Sequence, residues 1–323
     1  MKNVLVVSGW GSPDILQQTP KHSGIWDDIQ YHISYFGNDI DFRIPYDYLI
    51  VLYCIPVKIC LEIPKGNTCF ITQEPPYQDF LILKKLFKYF DNVITQFPIK
   101  RANVIQSIPV VPWWLGKSYD FLMNNNTISK TKKLSWITSN KIFFPGHRER
   151  LLFKDNLDKS NIKYDLYGEG YKFIESKWIG LAPYKYSIAI ENGCFKHYWT
   201  EKIMDCFLSD TMPIYYGCPN ITDYFPEESL IVIDIHQPKE ALEKIRQTIN
   251  SKKWERSRDA IEYAKQLILN KYQFFPFITS FIKERITDNQ RIEYNFPFGW
   301  PKENLIEKIV RKINQRYLKS DEQ

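Results

Sequence analysis

The chain has 323 residues, 44% of them hydrophobic and 25% charged, the balance of a soluble globular protein with room for two domains. Its net charge of +6, from 43 Lys and Arg against 37 Asp and Glu, favours an anionic ligand or an acidic surface and is too small to argue for nucleic acid. Six cysteines (Cys54, Cys60, Cys69, Cys194, Cys206 and Cys218) lie in apolar or mixed stretches without paired spacing, which argues against a zinc ribbon or a disulfide framework and for buried thiols.

The N-terminal "MKNVLVVSGWGS" holds about four consecutive apolar residues, short of a signal sequence. No run approaches the ~20 apolar residues of a membrane span. The expectation is a cytoplasmic protein that still has room to touch the inner face of a membrane.

"NVLVVSGW" reads as a buried strand entering a glycine turn. "DYLIVLYCIP" is a second strand, and "GNTCFITQEPP" a third that stops at Pro75-Pro76. "LILKKLFKYF" has helical spacing and "DNVITQFP" is a further strand. Strand, helix, strand in this order predicts a parallel sheet with helices on its faces. The polar run "MNNNTISKTKK" reads as a linker, giving an N-terminal domain over 1–123 and a linker over 124–133.

The pattern then restarts in a domain over 134–290. "KLSWITSN" is a strand, "HRERLLFKDNLDKS" a helix, and "KYDLYGEG" and "YSIAIEN" are strands. "TEKIMDCFLSD" is helical, "TMPIYYG" and "SLIVIDI" are strands, and "PKEALEKIRQTINS" is a helix opened by proline. Two α/β halves of this kind place a ligand cleft outside the carboxyl ends of their strands. The remaining segment, 291–323, ends in "PKENLIEKIVRKINQRYLKS", an amphipathic helix with Leu305, Ile306, Ile309, Val310, Ile313 and Leu318 on one face. It suits either a helix packed on the domain with a solvated basic face or a peripheral foot on an anionic membrane.

The most informative stretch is "IAIENGCFKHYWTEK" at 188–202. A buried strand ends in Glu191 and Asn192, where α/β folds expose functional groups. Thr200 is a good N-cap for a helix whose inward face is Ile203, Met204, Phe207 and Leu208. Glu201 and Lys202 fall in its first turn, where free N–H groups and the helix dipole make an anion site. An ordinary capped helix with a surface acid-base pair fits the same spacing.

In one block of about 50 residues, the sequence carries "IENG", "YWTEK", "PIYYG" and "YFP" followed by "SLIVID". This order and spacing strongly resemble the donor-binding segment of the α-1,3-fucosyltransferases, glycosyltransferase family 10. Ile190, Trp199 and Leu230 stand where that family's pattern has Phe, Val and Phe, departures that suggest a bacterial branch whose sugar need not be fucose. The resemblance implies a GT-B architecture, two Rossmann-like domains facing each other across a cleft. The N-terminal domain would bind the acceptor and the C-terminal one a nucleotide-sugar donor, GDP-fucose in this family.

Residue by residue, it implies donor contacts from Glu191, Asn192, Tyr198, Thr200, Glu201 and Lys202. For Glu191 a structural role, bonding the amides of its loop, stays open. Upstream, "SWITSNKIFFPGHRERLLFKDNL" is similar to the family's strand ending in Ser-Asn and its helix led by an arginine. This implies Arg150, with Arg148 as the fallback, whose fork suits two phosphate oxygens. The family's catalytic glutamate at a strand end is matched by Glu74 in "CFITQEPP", held at the strand tip by Pro75.

The mechanism implied is a single inverting displacement. Glu74 would deprotonate an acceptor hydroxyl while Arg150, Lys202 and the helix at Thr200 stabilise the leaving diphosphate. Tyr77, Trp113 and Trp114 would offer apolar faces to the acceptor sugar or else belong to the core. No metal-ligand set is visible; positive side chains would do that work, and a divalent ion would at most stimulate. A transferase for another nucleotide sugar, or a sugar- or nucleotide-binding protein without catalysis, remains the alternative.

Overall fold

The computed structural model describes residues 1–11, 14–124, 128–297, 299, 301, 302 and 308. The amphipathic helix expected over 301–320 therefore lies almost wholly outside the described residues, as do residues 125–127 of the expected linker. The chain forms two compact units. One comprises residues 1–12, 24–109 and 278–323, the other 13–23 and 110–277. The chain thus passes to the second unit at Val110, ahead of the polar run read as a linker, and returns to the first at Ile278.

The first unit is built on a sheet of seven strands. These are β1 (Lys2–Ser8), β2 (Ile25–Trp26), β3 (Ile29–Tyr35), β4 (Tyr48–Leu52), β6 (Thr68–Ile71), β7 (Asn92–Thr95) and β8 (Val104–Gln106), with β5 (Ile59–Pro64) outside it. Their order is β2-β3-β1-β4-β6-β7-β8, parallel except for β2 against β3. Val4, Val6, Val7, Leu49, Ile50, Val51, Phe70 and Ile71 have no exposed surface, the near-continuous apolar pattern of strands covered on both faces.

The sequence reading passed over β3, although "IQYHISY" alternates Ile29, Tyr31, Ile33 and Tyr35 with polar residues; Ile29 and Tyr31 are buried and the strand pairs with β1 along its length. "LILKKLFKYF" is not an α-helix. It forms two 3-10 segments, Gln78–Lys85 and Phe87–Tyr89. Phe80, Leu83 and Leu86 are buried at a three-residue rhythm that suits the tighter helix, with Phe87 buried beside them.

The second unit holds a five-stranded parallel sheet, β10-β9-β11-β12-β13. The strands are β9 (Lys132–Ile137), β10 (Asp165–Tyr167), β11 (Tyr184–Ile190), β12 (Met212–Tyr216) and β13 (Ile231–Val232). Its helices are α1 (Tyr119–Asn124), α2 (Pro145–Asp158), α3 (Lys177–Leu181), α4 (Glu201–Leu208), α5 (Pro238–Ile249), α6 (Lys253–Arg256) and α7 (Arg258–Leu267). α8 (Phe274–Arg285) carries the chain from this unit into the first. There β14 (Arg291–Phe296) pairs antiparallel with β5.

α4 shows how the sequence dictates position. Ile203, Met204, Phe207 and Leu208 are each 1% exposed or less. Burying each is worth about 1.5–3 kcal/mol as an upper figure, so the helix is pinned with its first turn at the carboxyl end of β11. Among the described residues, no helix is long and apolar enough to cross a membrane.

Candidate functional site

In the second unit the carboxyl ends of β9 and β11 meet the first turns of α2 and α4. Glu191, the residue after β11, is wholly buried. Its carboxylate accepts from the Thr200 amide at 2.8 Å, from the Thr200 hydroxyl at 2.7 Å and from the Lys202 ammonium at 3.2 Å. Glu191 is therefore a clamp on the N-cap of α4. Its backbone amide donates to Tyr216 O, and the neighbouring Gly217 has no room for a side chain. A Cβ there would sit 2.5 Å from Glu191 Cγ and 2.7 Å from the Tyr215 hydroxyl.

Lys202 is held from three sides, adding Thr200 Oγ1 at 3.1 Å and Glu201 at 3.6 Å to its bond with Glu191. About a fifth of the side chain remains exposed. Burial opposes its charge, but Glu191 and Glu201 outweigh burial and hold the ammonium above its usual range. For Glu191 burial dominates and pushes the carboxyl up, against Lys202 and the Thr200 bonds.

Glu201 goes the other way. Burial works against its ionised form, yet Lys202 and Lys177 bring it down to about 2. Lys177, from the first turn of α3, lies 3.6 Å from Glu201 and 2.8 Å from Asp205, whose other oxygen accepts from the Trp114 amide at 3.0 Å. Burial raises Asp205 to about 6 despite Lys177. Charges thus alternate along Glu191, Lys202, Glu201, Lys177 and Asp205.

Arg150, from the second turn of α2, is 4% exposed. Its guanidinium donates to Asn192 Oδ1 at 3.0 Å and to Ser139 O and Oγ at 3.2 Å each. All of these partners are neutral, and its Nε has no partner. Two further buried polar atoms nearby in the chain, Thr138 Oγ1 and His147 Nδ1, are also unpartnered among the described residues. Burial first, then Arg150 and Lys202, lower the His147 imidazole to about 4, so it is neutral at physiological pH. Buried polar atoms are ordinarily satisfied; of these three, Thr138 directly follows β9 and His147 and Arg150 lie in the first half of α2.

The structure therefore brings Arg150, Asn192, Glu191, Thr200, Glu201 and Lys202 into one cluster. Arg148, the fallback, is not part of these bonds. Tyr198 is 2% exposed and packs against Phe195. Trp113 is 2% exposed and donates its indole N–H to Lys117 O, so it is a core residue of the second unit and offers no face to a sugar. Trp114 is 37% exposed. Sequence reasoning missed Lys177, Asp205, Ser139 and His147. Asp205 follows Glu201 by one helical turn, a spacing that signals a shared face, whereas nothing in the sequence links Lys177 to α4.

Glu74 lies in the first unit, three residues beyond β6. The chain leading to it is anchored: the Thr72 hydroxyl is 2.7 Å from that of Thr95, and Gln73 accepts the Trp10 indole N–H at 2.8 Å. Glu74 is half-buried, and the nearby Tyr53 hydroxyl is pushed up to about 12 by burial and by Glu74. Tyr77 follows, its carbonyl accepting from Phe80 as the first 3-10 segment begins.

Residues 127–259 match the model of a family described as "Glycosyltransferase family 10 (fucosyltransferase) C-term". GDP-fucose protein O-fucosyltransferase 3 of Danio rerio is 34% identical over 76 residues, 23% of this chain and 17% of that protein. The 4-galactosyl-N-acetylglucosaminide 3-alpha-L-fucosyltransferase 9 of Mus musculus is 29% identical over 131 residues, 39% of this chain and 35% of that protein. The chain spans about a third or less of the length of these curated relatives. A solved α1,3-fucosyltransferase with GDP-fucose is 17% identical, with 98% of this chain and 91% of that one covered, at a TM-score of 0.44. A solved α-glucosyltransferase with UDP has a TM-score of 0.52 at 10% identity, over 87% of this chain and 99% of that one. This last likeness shows the fold, which is GT-B.

Proposed function

With residues 127–259 belonging to glycosyltransferase family 10, we propose that the chain is an inverting glycosyltransferase. It moves L-fucose from GDP-fucose to a hydroxyl of an acceptor glycan, a surface polysaccharide or lipopolysaccharide, in an α-1,3-type linkage. The observation that carries this reading is Arg150: a buried cation with neutral partners, near Lys202 and the capped N-terminus of α4. An arginine so placed has no carboxylate hydrogen-bonded to it among the described residues, only the nearby charge of Glu191, and a diphosphate supplies a direct partner.

In the reaction Glu74 takes the proton of the acceptor hydroxyl. The hydroxyl oxygen attacks the anomeric carbon as that carbon's bond to the diphosphate breaks. Negative charge grows on the leaving phosphate oxygens, and Arg150, Lys202 and the α4 N–H groups stabilise it where it develops. Glu201, held ionised by two lysines, is the acceptor for the donor's ribose hydroxyls. Glu191 acts behind Lys202 and Thr200 and does not itself touch the donor. Asn192, bonded to Arg150, completes the donor side, and Tyr198, as buried as Trp113, supports it from behind.

A transferase for another nucleotide sugar is the second reading, because every cation in the cluster serves the diphosphate and none selects the base or the hexose. Calorimetry with GDP, UDP, CDP and their sugars separates the two. Preference for GDP and GDP-fucose is expected. Preference for another nucleotide retains the clamp and removes fucose, and binding of none removes the transferase reading.

A further inference from the structure

The first unit carries a second concave site that the donor chemistry leaves unused. A cavity of about 550 Å³ is lined by Lys84, Lys85, Lys88, Arg101 and Lys302, with Leu86, Tyr89, Gly299, Pro297 and Pro301 as its less polar wall. Its volume is in the range of small-molecule sites, which commonly span about 300–1,000 Å³. Five cations line it, and no carboxylate does among the described residues. The whole chain has an excess of six positive charges, so nearly an equal excess is gathered around this one hollow.

Surfaces that serve solubility alone intersperse the two signs. Here, among the described residues, no ion pair engages Lys84, Lys88, Arg101 or Lys302. The Lys88 ammonium lies over the Tyr89 ring, 4.9 Å from its centroid. Like charges held together repel, and an anion in their midst reverses that contribution.

The walls are also tied to one another. Lys85 donates to Lys302 O at 3.0 Å, joining the 3-10 segment to the stretch after β14. Just below, the rings of Phe90 and Phe296 stack at 4.8 Å, and the Tyr294 hydroxyl donates to Asp91 at 2.7 Å. The hollow therefore belongs to the packed unit, with residues far apart in sequence fixed around it.

We propose that this pocket binds the phosphate group of a phosphorylated polyol. Lysine ammoniums and one arginine fork supply the phosphate contacts, while Tyr89, Pro297 and Pro301 give the carbon skeleton an apolar wall. The volume exceeds what a bare phosphate needs. The site is independent of the donor reading, since it uses no residue of the second unit. The same chemistry comes from two sources, a phospholipid headgroup at a membrane surface or a free phosphorylated polyol.

The test uses the full chain with two probes: free glycerol 3-phosphate, and vesicles of phosphatidylglycerol against vesicles of phosphatidylcholine. A Lys84→Ala/Lys88→Ala/Arg101→Ala variant is compared with a control that loses the same charge in the second unit, Lys239→Ala/Lys244→Ala/Lys252→Ala. All six side chains are exposed, so unchanged melting is expected for both variants and is checked. Binding of at least one probe, weakened tenfold or more in the pocket variant and less than threefold in the control, supports the site. Glycerol 3-phosphate then identifies a soluble ligand, and phosphatidylglycerol vesicles alone identify a membrane. Binding of neither probe, equal losses in the two variants, or no loss in the pocket variant overturns the proposal.

Discussion

Glu191→Ala removes the carboxylate that joins β11 to the N-cap of α4. Three donors lose their acceptor at once: the Thr200 amide, the Thr200 hydroxyl and the Lys202 ammonium. Lys202, partly exposed, can turn toward water or Glu201, but the Thr200 amide is buried and cannot. A hydrogen bond to a charged group is worth about 1.5–3 kcal/mol, and removing one partner of a buried ion pair costs about 3–5 kcal/mol. The expected loss is therefore about 3–5 kcal/mol. Glu191→Gln keeps an acceptor for the Thr200 amide and loses the pair with Lys202, so about 1.5–3 kcal/mol is expected. Urea unfolding followed by tryptophan fluorescence reads both, with the midpoint moving at constant slope. The GDP affinity of both variants should fall as well, because Lys202 and the cap lose their anchor. A loss below about 0.5 kcal/mol in the alanine variant would refute the clamp and return Glu191 to the group that contacts the donor.

Glu74→Gln is expected to cut turnover by about 10²–10⁴-fold with GDP binding intact; near-normal turnover shows that another group takes the proton. Lys202→Ala should weaken GDP by tenfold or more in calorimetry, and unchanged affinity removes it from the phosphate site. Arg150→Met should abolish GDP binding while the unfolding midpoint holds or rises, since it deletes a buried charge without a hydrogen-bonded counter-charge; a loss of stability equal to that of Glu191→Ala contradicts this. For Glu201 the folded carboxyl sits at about 2 against an ordinary 4.5. Its stabilisation is therefore present above pH 4.5 and lost as pH falls toward 2, at most about 3 kcal/mol. Glu201→Gln should flatten that part of the acid-unfolding curve, and a curve identical to the parent's shows that the two lysines do not hold the charge.

The buried strands were legible because parallel strands covered on both faces write their burial as unbroken apolar runs: "VLVV", "YLIVL" and "YSIAI" all became strands. The start of α4 was equally plain, since Thr-Glu-Lys before an apolar face carries both cap and period. β3 was legible and was passed over: Gln30, His32 and Ser34 are the polar half of a strict alternation with Ile29, Tyr31, Ile33 and Tyr35, and the strand pairs with β1 along its length. The 3-10 form of 78–89 was not legible, because its apolar residues satisfy three- and four-residue rhythms alike. Within the site, the first-turn residues could be named from spacing. Lys177 could not, because its pairing with Asp205 joins α3 to α4 through tertiary packing. The discontinuity of the first unit is of the same kind: no local signal says that residues 291–296 go back to pair with β5.

Arg150 and Lys202 show two ways of keeping a cation ready for an anion. Lys202 is balanced beforehand by Glu191 and Glu201, so its charge is stable in the free protein, and an arriving phosphate competes with carboxylates that are already there. Arg150 is bonded to an amide, a hydroxyl and a carbonyl, which orient it, and no carboxylate is hydrogen-bonded to it among the described residues, so that Glu191 offsets its charge only through space. In a buried setting that is costly, on the order of several kcal/mol for an unpaired ion. An anion that reaches the guanidinium without displacing these bonds removes that cost. Arg150 therefore contributes to binding by relief of its own burial, and Lys202 by precise placement. A diphosphate needs both, because negative charge grows on its leaving oxygens as the bond to the anomeric carbon breaks. The growing charge meets one cation fixed by acids and another oriented by neutral groups.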